Sequence, residues 1–174
     1  STALLAMEYV AKHLRVAFAQ GANVEARYGM SMAAMLGALA YGTESAGAAH
    51  AMSQSAGGVH DVPHGALTAR VLGPVMEFNY LGEPAKFARI AQALGEDIRG
   101  LSVWDAAEKA VEAVYRLTEE VEIPTLQEMG FQEEEIPHLA EIAFADPQTI
   151  GNPRDLSKAS YVKIWQRTFE IGAH

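Results

Sequence analysis

Apolar positions along this chain recur at helical spacing almost from end to end. In "STALLAMEYVAKHLRVAF", the adjacent Leu4 and Leu5 are followed by Val10, Leu14 and Phe18 at spacings of four to five, and Gly21 follows as a stop. That recurrence marks one face of an amphipathic helix. A second helix is predicted from near Asn23 to about Gly42, with Asn23 as its cap and Glu25 in its first turn. Its middle, "MSMAAMLGALAYG", is dense in Met, Ala and Gly. Small residues allow close helix approach and Met fills irregular gaps, so this segment is expected to be a buried core helix. A small-residue stretch then leads into a helix through His50 that ends near Gly57-Gly58. Pro63 precedes the next helix, which starts near His64, and Pro74 is expected to kink or interrupt it.

Beyond Asn79 the pattern continues. Glu83 to Gly95 reads as a short amphipathic helix with proline in its first turn. Leu101 to Val121 reads as a longer one, with Ser102 as cap and a stripe of Ala106, Ala107, Val111, Val114 and Leu117. Pro124, Gly130 and Pro137 punctuate short elements, and Asp155 or Ser157 opens the last helix. No period-two alternation, hairpin turn or fixed repeat is present. The fold class is therefore all-α, a compact helical bundle with no sheet, and 174 residues suit a single domain, residues 1–174.

Composition narrows the function. A net charge of −9 with no Lys/Arg cluster argues against nucleic acid. The absence of cysteine excludes disulfides, thiolate zinc sites and a cysteine nucleophile, and it fits a cytoplasmic location. No apolar run reaches the length that spans a bilayer, and the N-terminus lacks the basic region of a signal peptide. The chain begins at Ser1 without an initiator Met, which fits a processed chain or a piece of a longer one. There is no phosphate-binding loop, no dinucleotide fingerprint and no nucleophile elbow. The run Glu133-Glu134-Glu135 reads as a solvated face, and "GNPR" (residues 151–154) as a turn feeding a helix.

The histidines remain. His13, His138 and His174 have no helpers nearby in the sequence, and His174 is expected to be solvated. His50 and His64 lie fourteen positions apart on two predicted helices joined by a glycine-containing turn. A helical hairpin of that kind can bring both rings to one pocket, and neutral imidazole is a ligand for zinc and ferrous iron. Two histidines fall short of the about three protein ligands of a catalytic site. Spacing alone leaves open two helix-end histidines with hydrogen-bonded rings.

"HAMSQSAGGVHDVPHG" followed by "ALTARVLGPVMEFN" resembles the C-terminal helical domain of iron-containing (group III) alcohol dehydrogenases, an all-α architecture shared with dehydroquinate synthase-like proteins. The family reads H-A-x-x-H-x-x-G-x-x-x-x-x-P-H-G and then a leucine-rich helix ending in F-N. His50, Ala51, Gly57, Pro63, His64, Gly65, Phe78 and Asn79 fall on those positions. "GANVEARYGMSMAAMLGALAYG", "IPTLQEMGFQEEEIPHLAEIAFAD" and "GNPRDLSKASYVKIWQRTFE" extend the likeness over nearly the whole chain.

The resemblance implies a divalent metal, Fe2+ before Zn2+, and NAD(P) in a cleft between this domain and an N-terminal dinucleotide-binding domain that the chain lacks. The metal polarises an alcohol or aldehyde oxygen while hydride passes between carbon and nicotinamide. Two family ligands map to His50 and His64. The other two, an Asp and a His one turn apart, lie upstream of Ser1, and no D-x-x-x-H occurs here. The family's second motif histidine, near the nicotinamide, is Gln54 in this chain, and an amide cannot relay a proton near neutral pH. His60 stands close enough in sequence to serve as a proton donor or third ligand. Gly73 falls where proline is common, with Pro74 next to it.

The implied partners are a small alcohol or aldehyde, the nucleotide-binding domain or a partner chain, and a second copy through an exposed apolar face. The chain alone is expected to be inactive. The alternatives are a glycerol dehydrogenase-like relative and a stand-alone non-catalytic module for binding or oligomerisation, which Gln54 favours.

Overall fold

Serine caps begin three of the helices. Ser1 Oγ accepts from Leu4 N at 3.5 Å, Ser102 Oγ from Asp105 N at 3.1 Å, and Ser157 closes a capping box with Ser160. Such caps satisfy amide groups that have no partner inside the helix, each worth about 0.5–2 kcal/mol. The computed structural model describes residues 1–41 and 45–171. Eight α-helices occur among them: α1 (Thr2–Ala19), α2 (Val24–Tyr41), α3 (Ala48–Gly57), α4 (His64–Asn79), α5 (Pro84–Ala93), α6 (Val103–Glu120), α7 (Ile136–Ala145) and α8 (Lys158–Glu170). Two short 3-10 turns, Glu133–Glu135 and Pro147–Gly151, flank α7. No strand occurs among the described residues, and the fold is all-α. The expected end of α2 at Gly42 and the solvation of His174 fall outside the described residues.

The chain packs as two compact units, one from Ser1–Glu44 with Glu83–Val121, the other from Ser45–Gly82 with Glu122–His174. In the first, α1 pairs with α2 and α5 with α6. The buried residues of α2 are Ala26, Gly29 and Ala33, three and four apart. A side chain at Gly29 would place Cβ 2.3 Å from Cγ of His13, so the glycine is what lets that ring sit against the helix. Asn23 Oδ1 accepts from Ala26 N at 3.0 Å and opens α2 as the sequence predicts. The buried core helix does not materialise: Met35 and Leu39 are exposed, the latter 67%. Within this unit α2 lays one narrow small-residue face on α1, keeps Met30, Met32 and Leu36 half-buried and leaves Val24, Tyr28, Met35, Leu39 and Tyr41 exposed.

In the second unit α3 packs on α4 and α7, and α8 on α4 and α7. Trp165, Tyr161, Phe131, Met52, Leu67, Leu126 and Leu139 are wholly buried there. Pro74 does not interrupt α4, which is assigned as helix from His64 through Asn79. Proline removes one amide donor. Val71, Gly73, Pro74, Val75 and Met76 are all buried, so packing holds the helix through the gap.

Candidate functional site

The sequence-derived candidates all lie in the second unit, on α3, on α4 and in the loop between them. The start of α3 is set by glycine and asparagine. Gly47 adopts φ +78° and ψ −167°, a region essentially reserved for glycine. Ala48 N then donates to Asn152 Oδ1 at 3.3 Å. Asn152 and Asn79 exchange two side-chain hydrogen bonds of 2.8 Å, and Asn152 Nδ2 also donates to Arg154 O at 2.7 Å. Arg154 Nη1 donates to Phe78 O at 2.8 Å, with its guanidinium 4.2 Å above the Phe78 ring. The closing F-N of α4 and the "GNPR" segment therefore form one latch that ties the end of α4 to the start of α3. Reading "GNPR" as a turn missed this, because the pairing spans 73 residues.

His50 follows two residues after that anchored start and is half-buried. His64 is the first residue of α4, behind Pro63, and is exposed. The two rings meet edge to face, with centroids 4.9 Å apart and planes at 69°. Beneath them the Thr68 hydroxyl lies 2.8 Å from His64 O, 2.8 Å from Ser53 Oγ and 3.5 Å from His64 Nε2. Ser53 Oγ in turn lies 3.3 Å from His50 O. The buried Ser53 thus joins the two helices directly under the pair. Thr68 and Ser53 were not sequence candidates. The spacing that exposes Thr68 is simple in retrospect, one helical turn after His64.

The structure brings the His50 and His64 rings together. Gln54 lies one turn along α3 from His50 and is exposed. His60 has partners of its own: Nε2 lies 2.8 and 3.1 Å from the two Glu135 oxygens, and the ring meets Phe131 at 4.4 Å between centroids. Glu135 Oε2 also accepts from Gln132 N at 2.7 Å. That backbone bond first, and the His60 bond second, hold the Glu135 carboxyl below its ordinary pKa of 4.5. Glu133 and Glu134 are exposed, as a solvated face requires, but Glu135 is not free.

Among the described residues no three His, Asp or Glu side chains gather as a metal-holding group. His138 is exposed. His13 is not without neighbours: it stacks on Tyr9 at 5.7 Å and, with Glu8, Lys12, Glu25 and Tyr28, lines a cavity of about 460 Å³ in the first unit. No helix among the described residues is long and apolar enough to cross a membrane.

Residues 1–169 match the family described as "Fe-containing alcohol dehydrogenase family, C-terminal". The chain is 50% identical over 171 residues to choline dehydrogenase of Bacillus subtilis (strain 168), an alignment covering 98% of this chain and 42% of that one. Against 1,3-propanediol dehydrogenase of Klebsiella pneumoniae it is 38% identical over 170 residues, covering 97% and 44%. A crystal structure of a 1,3-propanediol oxidoreductase superposes with a TM-score of 0.94 at 38% identity, again covering 97% of this chain and 44% of that one. The chain thus spans less than half the length of these relatives.

Proposed function

Because the chain belongs to the Fe-containing alcohol dehydrogenase family, we propose that it is the metal-binding part of an NAD(P)-dependent oxidoreductase interconverting a small alcohol with an aldehyde or ketone. His50 and His64 serve as two ligands of a divalent cation, Fe2+ or else Zn2+. One observation carries this reading: two imidazoles from different helices meet at 4.9 Å, with His64 open to solvent. Imidazole nitrogen suits both metals. Two donors are fewer than a catalytic site uses, so the remaining ligands come from outside the described residues. When bound, such a cation supplies Lewis acidity toward a substrate oxygen.

The chain's own residues do the rest. Thr68 and Ser53 fix the two helix backbones beneath the imidazoles. Gln54, one turn from His50, offers an amide that donates and accepts hydrogen bonds without titrating, so it orients a polar group and leaves proton exchange to another residue. The names of two relatives, choline dehydrogenase and 1,3-propanediol dehydrogenase, support a small hydroxylated substrate.

The test is an anaerobic titration with Fe(II) or Zn(II). His64→Ala is expected to weaken binding at least about 10-fold, since disturbing even an outer partner of a ligand costs 10–100-fold. Equal affinity in both proteins would contradict the reading. Gln54 favours a second reading, a module that binds metal without turnover. Absence of alcohol oxidation with NAD(P) by the intact protein, at full metal occupancy, would select it.

A further inference from the structure

His60 occupies the middle of the loop that separates the two ligand-bearing helices. The first half of that loop is pinned to the end of α3: Gly58 N donates to Ser55 O, and Val59 N and His60 N both donate to Ala56 O, at 2.9–3.2 Å. The second half is not pinned in this way. Val62 N closes a tight turn onto His60 O at 3.0 Å, and Pro63 then starts α4 without any side-chain capping bond. Beyond α3 the loop is tied down by two side chains, the half-buried Val62, which packs against the core, and His60, which makes the loop's one polar side-chain bond to a distant element among the described residues. Its Nε2 reaches both Glu135 oxygens, and its ring edge rests on Phe131, which is wholly buried and lies 6.4 Å from Trp165 between centroids. Glu135 is held in turn by the Gln132 amide. An ionised carboxylate shared between a backbone N–H and an imidazole N–H is a strong acceptor for both.

We propose that His60 is a positioning residue: its bond to Glu135 fixes the α3–α4 loop in the shape that presents His64 to His50. The inference rests on the reading of that pair as metal ligands. It assigns to His60 the task of an outer partner whose loss loosens a ligand, not the task of a ligand. It also gives Glu135, distant in sequence from both ligands, a place in the same machinery.

The experiment measures Zn(II) affinity on the 174-residue chain by competition with a chromophoric chelator, with the melting temperature recorded alongside. Five variants are compared: His60→Ala, His60→Gln, Glu135→Ala, the His60→Ala/Glu135→Ala double variant and His64→Ala. His60→Ala is expected to weaken zinc binding about 10-fold. His60→Gln keeps an N–H for Glu135 and recovers most of that loss, which a change in overall stability alone would not produce. Glu135→Ala loses as much as His60→Ala, and the double variant loses no more than either single one, because the two act as a unit. Should His60→Ala fail to fold, Glu135→Ala carries the same expectation. Wild-type affinity in His60→Ala or Glu135→Ala would overturn the proposal, as would equal losses in His60→Ala and His60→Gln. Unchanged affinity in His64→Ala would instead overturn the metal reading itself, so the two failures are distinguishable.

Discussion

Glu135 belongs to an acidic run, and two of its three members behave as solvated charges while the third does not. The difference lies in a local spacing: Gln132 and Glu135 form a capping box around the 3-10 turn. That much was available in the residues. The bond to His60 was not, because it joins positions 75 apart. Titration gives a consequence. The folded state depresses the Glu135 pKa below 4.5, so its contribution to stability is complete above that value and is lost as pH falls through the lowered folded pKa. Urea midpoints measured from about pH 6 down to about pH 3 should fall less steeply for Glu135→Gln than for the wild type. Identical acid limbs would contradict the assignment. His50 and His64, by contrast, lie on two helices whose adjoining ends are marked by local signals at Gly57 and Pro63, and the motif around them made the pair legible through its family resemblance.

Helix boundaries were the readable part of the element scale, because caps and breakers are local chemistry. Ser102 and Asn23 act where the sequence places them, and of the two candidates for the last helix, Asp155 and Ser157, Ser157 is the cap. What covers each helix was less readable. The Met-rich face of α2 carries the composition of a core, yet only Ala26, Gly29 and Ala33 are buried. Periodicity reports that a face is apolar, not that a neighbour exists to cover it. The Asn79–Asn152 latch is the opposite case, polar residues that look like surface and are spent on geometry. Asn79 is only 5% exposed. Asn152→Ala removes both reciprocal bonds and the acceptor for Ala48 N, leaving a buried amide without its partner at a cost of about 1–3 kcal/mol. Gly47→Ala should cost a similar amount, about 1–3 kcal/mol, because its backbone conformation excludes a side chain. Denaturant unfolding at neutral pH checks both. Losses well under that range would mean the start of α3 is fixed by other contacts.

At the scale of the whole chain, the family follows from a match over residues 1–169 and from relatives in which this chain spans less than half the length. Two imidazoles are juxtaposed, and no third carboxylate or imidazole joins them among the described residues. The account therefore turns on whether this pair of rings binds a divalent cation. The most direct measurement is a nitrogen-15 NMR titration of the imidazoles with Zn(II). The ring nitrogens of His50 and His64 should shift together at the same zinc concentration, while those of His13 and His138 stay in place. Zinc that moves neither ring of the pair, or only one of them, would contradict the account.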